Sequence, residues 1–118
     1  MKSVDDMLKE QAVPVIVLDK EGVITFVNEA FEKEYGWKKS ELLKASVYVI
    51  IPTALRQAHN IGFSRFLSTE TPTLLEKPLR LPILCKDGQQ RDAEHVIVAD
   101  KQEGAWRFAA TIRPLDGV

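Results

Sequence analysis

The stretch that decides the fold is Val13-Pro14-Val15-Ile16-Val17-Leu18-Asp19, then Lys20-Glu21-Gly22, then Val23-Ile24-Thr25-Phe26-Val27-Asn28. Two runs rich in β-branched residues around an Asp-Lys-Glu-Gly turn read as a hairpin. Asn28 ends the second run and precedes Glu29-Ala30-Phe31-Glu32-Lys33-Glu34-Tyr35-Gly36. Its side chain can cap the first backbone N–H groups of a helix that Gly36 terminates. The hairpin thus leads straight into a helix.

Upstream, Ser3 followed by Asp6 reads as the start of a short helix, with Val4, Met7 and Leu8 on one side at helical spacing. A stripe that narrow can close over its own domain or pair with a second copy, and both readings stay open for residues 1–12. Downstream, a second capped turn is expected at Ser40-Glu41-Leu42-Leu43-Lys44, and the apolar run from Val47 to Ile51 stops at Pro52. Thr53 is expected to cap the longest helix, from Ala54 to Leu67, whose Leu55, Ala58, Gly62, Phe63, Phe66 and Leu67 share one face. After a polar loop from Ser68 to Pro72 and the Pro78 beyond it, the period changes to two. Leu79, Leu81, Ile83 and Cys85 alternate with Arg80, Pro82 and Leu84. Lys86-Asp87-Gly88 turns the chain, Arg91 to Ala99 returns, Asp100 to Gly104 turns again and Ala105 to Leu115 closes. In the last strand Trp106, Phe108, Ala110 and Ile112 lie opposite Arg107 and Arg113. The order predicts an α+β fold, a five-stranded antiparallel sheet with short helices packed on one face.

Composition sets limits on function. At 118 residues, 45% of them hydrophobic, the chain suits one core. Sixteen Lys and Arg against 17 Asp and Glu leave a net charge of −1, which offers no field to draw nucleic acid or an anionic membrane. Runs such as Val13 to Leu18 fall short of the ~20 apolar residues that cross a bilayer. Residues 1–10 carry acids where a secretory signal would be apolar. A single cysteine, Cys85, suits a reducing cytosol, so the location expected is cytoplasmic. There is no glycine-rich phosphate loop and no Gly-x-Ser-x-Gly, so no enzyme is expected.

Four segments carry a family resemblance: Val17 to Asn28, Phe31 to Leu42 with its Tyr35-Gly36-Trp37-Lys38-Lys39-Ser40-Glu41-Leu42 core, Ile51-Pro52-Thr53-Ala54-Leu55-Arg56, and Cys85-Lys86-Asp87-Gly88. Together, and in this order, they resemble a PAS domain, a match that spans Glu10 to Leu115. The resemblance implies a PAS-like sensory domain over residues 13–118. Such a module belongs to a larger signal-transduction protein, for example a two-component histidine kinase, a cyclic-nucleotide enzyme, a chemoreceptor or a transcription factor. It also implies that catalysis lies in an effector domain of the same polypeptide, such as a histidine kinase or diguanylate cyclase, that the module pairs as a homodimer, and that a small ligand or cofactor sits between helix and sheet. Fold similarity alone names no ligand.

The residues expected to line that pocket are His59, Gly62, Phe63, Leu79, Leu81, Ile83, Trp106 and Phe108. An imidazole aimed from the helix into an apolar pocket is what a haem iron needs as a proximal ligand, and Gly62 would let a flat ring approach. The stretch Arg56-Gln57-Ala58-His59-Asn60-Ile61-Gly62-Phe63-Ser64-Arg65 also resembles the helix of oxygen-sensing haem PAS domains, whose ligand aligns with His59. Those sensors commonly carry an arginine where Leu79 falls, and Arg80 should point the other way, which favours a carbon monoxide or redox response over oxygen. Against haem stands a histidine that only bonds a carbonyl or caps a loop. Flavin photochemistry of the light-sensing kind needs a cysteine on the central helices, and none lies between Asn28 and Leu67. Cys85 reads as a small packing residue, His95 as a half-exposed strand histidine and Trp37 as a lid over the core. The rival to a liganded sensor is a ligand-free interaction module whose core its own side chains fill.

Overall fold

The computed structural model describes residues 3–60 and 77–115. Helix α1, Val4–Leu8, is capped reciprocally: the Asp6 amide donates to Ser3 Oγ (3.1 Å) and the Ser3 amide to Asp6 Oδ2 (3.0 Å). Strands β1 (Val15–Asp19) and β2 (Ile24–Val27) form the expected hairpin. Its turn is closed by Asp19, whose Oδ1 accepts from the amides of Glu21 (2.8 Å) and Val23 (3.0 Å). Helix α2, Glu29–Tyr35, starts at Asn28 and ends at Gly36, whose φ of 79° is the left-handed cap that glycine adopts without strain. Helix α3 (Lys39–Leu42) and two 3-10 turns, Val47–Ile50 and Thr53–Leu55, lead to α-helical residues 56–60. Strands β3 (Leu79–Leu84), β4 (Gln90–Gln102) and β5 (Ala105–Pro114) follow.

Among the described residues the strands make one antiparallel sheet in the order β2-β1-β5-β4-β3, so the α+β, five-stranded expectation holds. The first and last strands of the chain meet at its centre, where both faces of β1 are buried. On the inner face, Ile16 and Leu18 of β1, Ile24 and Val27 of β2, and Phe108 and Ile112 of β5 pack with Phe31 and Tyr35 of α2, Leu42 of α3, Val47 and Ile50. On the outer face, Val15 and Val17 of β1, Val98 of β4 and Ala109 of β5 receive Val4 and Met7 of α1. The helices after β2 therefore cover one face and α1 the other.

Three local expectations need correction. Lys38, not Ser40, is the N-cap of α3, and Glu41 Oε1 accepts from its amide at 2.9 Å. Thr53 lies inside a 3-10 turn that begins after Pro52 and caps nothing with its side chain; the ring of Pro52 sets the entry. The turn after β4 is shorter than Asp100 to Gly104: β4 runs to Gln102, and Glu103 (φ 54°) with Gly104 (φ 80°) make a two-residue hairpin turn with both φ positive. That turn matches the right-handed twist of the strands, which stay paired from Ala93↔Pro114 to Gln102↔Ala105. Gly62, Phe63 and the rest of the expected helix beyond residue 60 lie outside the described residues. Among those described, no helix is long and apolar enough to cross a membrane.

Candidate functional site

Register decides which side chains share the inner face. The pairs Leu79↔His95, Leu81↔Ala93 and Ile83↔Arg91 link β3 to β4. The pairs His95↔Ile112, Ile97↔Ala110, Ala99↔Phe108 and Lys101↔Trp106 link β4 to β5. Because Ile83, Ala93, Phe108 and Ile112 belong to the core beneath α2, period two places Leu79, Leu81, His95, Ile97, Ala99, Lys101, Trp106 and Ala110 on that face too. The five sheet residues of the expected site, Leu79, Leu81, Ile83, Trp106 and Phe108, are thus brought to one surface.

They are not equally covered. Ile83 and Phe108 are buried, Leu79 and Trp106 are half-buried, and Leu81 is exposed. The rings of Trp106 and Phe108 stack with centroids 6.4 Å apart and planes at 22°, and Lys101 Nζ lies 5.3 Å from the Trp106 ring. Between them and His95 the floor carries Ile97, Ala99 and Ala110, and the short alanine side chains lower it. Arg80 lies on the outer face and donates to Asp92 Oδ2 at 3.0 Å, so no arginine of β3 reaches the floor.

The two histidines differ in what holds them. His59, half-buried, meets Tyr48 edge-on, with centroids 6.0 Å apart and planes at 80°. Burial pushes its imidazole below the usual histidine range. His95 rises from the floor, and its Nε2 lies 3.2 Å from the Leu81 carbonyl. That contact requires Nε2–H as donor, which leaves Nδ1 of the neutral ring as an acceptor. Burial lowers its protonation, and the bond to Leu81 opposes the shift in part. A neutral imidazole is the form that can ligate a metal or accept a hydrogen bond. The inner-face placement of His95 was within reach of the alternation Ala93, His95, Ile97, Ala99; the edge contact of Tyr48 with His59 has no such signal.

At the other end of the face the cover is fixed. Tyr35 Oη–H donates to the Ile112 carbonyl (2.7 Å), the Arg91 guanidinium lies 5.4 Å from the Tyr35 ring, and Arg91 Nη1 donates to the Glu34 carbonyl (2.6 Å). Trp37 is a partly buried cover, its Nε1–H donating to the Leu84 carbonyl (3.1 Å) with Lys86 Nζ 5.3 Å from its ring. Cys85 is a buried thiol whose backbone brackets the Lys86-Asp87-Gly88 turn: its amide donates to Gln89 O (2.8 Å) and its carbonyl accepts from Gly88 (3.0 Å). A separate surface groove of about 570 Å3 runs between residues 11–14, α2 and the end of β5, and no aromatic, histidine or cysteine lines it.

A family model described as the PAS fold matches residues 3–98. No curated protein matches the chain. Among solved structures, a PAS domain from Desulfitobacterium hafniense is 18% identical, covers 92% of this chain and 97% of its own, and superposes with a TM-score of 0.74. The PAS domain of an HTR-like protein from Haloarcula marismortui is 21% identical over 95% of this chain and 88% of its own, also with a TM-score of 0.74. The PAS domain of the RpfR quorum-sensing receptor of Cronobacter turicensis, solved in complex with C12:0, is 17% identical over 90% of this chain and 96% of its own, at a TM-score of 0.68.

Proposed function

The chain belongs to the PAS family, and from that premise we propose that it is a non-catalytic sensory module. It takes a small ligand or cofactor on the inner face of the sheet and relays a change of shape to an effector domain of the same signal-transduction polypeptide. The observation that carries this reading is the unequal cover of one continuous face: Ile83 and Ala93 are sealed by the core, while Leu79, Leu81, His95 and Trp106 stay partly accessible. A largely apolar floor with an aromatic stack and a few polar groups is what small-molecule sites are built from. The RpfR domain of like fold was solved in complex with C12:0, which supports a ligand on this architecture. To act as a switch the ligand must bind one of two states better, since equal affinity shifts nothing. The module works in the cytosol, where its single thiol stays reduced, and pairs as a homodimer.

The test uses Trp106 as reporter in a Trp37→Phe background, titrated with C12:0 as an apolar probe. Saturable quenching that Ala99→Leu abolishes supports the reading; a linear, unsaturable response to both C12:0 and haemin removes it. The pairing is tested by light scattering on the intact chain and on one lacking residues 1–10, and a monomer in both ends it.

A second reading, a haem-based gas or redox sensor, is favoured by His59, a half-buried imidazole whose burial disfavours the protonated form. His59 would hold the iron, which would supply gas binding or a one-electron couple, and the half-buried wall at Leu79 would face it. Haemin should then give a sharp Soret band that His59→Ala abolishes. A spectrum indifferent to that substitution sinks the reading.

A further inference from the structure

We propose that the ligand of the inner face is an organic anion, its carboxylate held by Lys101 beside the β4–β5 turn and its apolar body laid along Ala99, Ala110 and Ile97. The inference rests on the reading of that face as a ligand site, and adds the sign and the direction of what it takes. It follows from how the sheet divides its charges. Strand β4 carries three acids, Asp92, Glu94 and Asp100, all at outward positions. Each meets an arginine of a neighbouring strand there: Arg80 at 3.0 Å, Arg113 at 3.4 Å and Arg107 at 2.7 Å. Among the described residues, the inward positions of β3, β4 and β5 hold no acid; beside His95 they carry two cations, Arg91 and Lys101. The outer face is balanced in sign and the inner face is not.

The two cations differ in place. Arg91 belongs to the sealed end: its Nη1 donates to the Glu34 carbonyl (2.6 Å), its guanidinium lies 5.4 Å from the Tyr35 ring, and Glu34 Oε2 is 3.9 Å away. Lys101 stands at the open end, exposed, with Nζ 5.3 Å from the ring of Trp106, which stacks on Phe108. The indole face attracts the ammonium and so holds it over the rim of the site. Six positions of β4 separate Lys101 from His95, about 20 Å at the rise of a strand. His95 is no second anchor for an anion, because burial disfavours its protonated form. Between the two, the floor is Ala99 and Ile97 with Ala110 across the ladder, and it offers side chains without donors. A carboxylate brought onto that floor loses water that only a donor can replace. Lys101 supplies charged N–H donors at one end alone, so the head lies beside the β4–β5 turn and the body runs toward Leu79.

The experiment compares three probes of one chain length and different charge. Binding of decanoate, decanol and decylammonium to the full chain is measured by calorimetry at pH 8, below the concentrations at which they form micelles, for the wild type, Lys101→Gln, Lys101→Glu and Lys20→Gln. Lys20, exposed in the β1–β2 turn, gives the same change of net charge away from the site. Lys101→Gln should weaken decanoate about two- to fivefold, the range of an exposed ion pair, and leave decanol unchanged. Lys101→Glu should weaken decanoate further and tighten decylammonium, while Lys20→Gln should alter none of the three. Equal effects of Lys101→Gln on decanoate and decanol, or equal effects of Lys101→Gln and Lys20→Gln on decanoate, overturn the proposal. Decanol binding that Ala99→Leu abolishes, with decanoate indifferent to Lys101, removes the anion and leaves the ligand reading standing. Absence of binding by all three probes, and by C12:0 and haemin, removes both.

Discussion

Two residues of β3, on the same face and two positions apart, live in different surroundings: Ile83 is 1% exposed and Leu81 is 40% exposed. Their sequence context is similar, since both are aliphatic members of one alternating run. What differs is the neighbour. Ile83 lies opposite Arg91, whose guanidinium is held over Tyr35, and the core that includes Tyr35 and Phe31 seals it. Leu81 lies opposite Ala93, a side chain too short to rise beside it. One end of the face thus holds the domain together, and the other keeps an aliphatic side chain open to solvent.

That contrast can be broken by substitution, and the largest effect is expected at the sealed end. Phe31→Ala removes a fully buried ring that meets Tyr35 edge-on and should cost about 3–5 kcal/mol in a urea titration. Ile83→Ala should cost about 2–5 kcal/mol, while Leu81→Ala should stay within about 1 kcal/mol; equal losses would erase the distinction between the two ends. Tyr35→Phe keeps the packing and leaves the Ile112 carbonyl without its phenolic donor, for about 1–2 kcal/mol by the same measurement. The smallest effect is a pH slope. Because burial depresses the His95 imidazole, the unfolded chain binds the extra proton first as pH falls below about 6.5. The stability associated with neutral His95 is therefore complete above that pH and declines below it. His95→Gln should flatten the decline between about pH 6.5 and 5, and an unaltered slope would remove His95 from the account.

The hairpin, the Asn28 cap and the Gly36 stop were legible because each depends on residues a few positions apart. The five strands were legible from period two. What could not be read was which face α1 would cover, since β1 buries Val15 and Val17 on one side and Ile16 and Leu18 on the other, and an apolar stripe fits either. The length of β4 was hidden because Asp100, Lys101 and Gln102 look like turn residues; in the fold, Asp100 is held by Arg107 and Lys101 lies against Trp106. At the site, the shared face of Leu79, Leu81, Ile83, Trp106 and Phe108 followed from alternation. Their unequal cover did not, because it depends on α2 and Trp37, which come from forty or more positions away.

Asn28 does more than begin a helix. Its Oδ1 accepts from the amides of Val15 and Phe31, both at 3.0 Å, and its Nδ2 donates to the carbonyls of Glu10 (3.0 Å) and Val13 (2.8 Å). These bonds span 3 to 18 positions, whereas the Tyr35 bond to Ile112 spans 77. Closing short loops costs less chain entropy than closing long ones, so the segment from residue 10 to residue 31 can organise first. The amide would then act in the folding transition state, gathering the first hairpin before the last strand arrives to occupy the centre of the sheet.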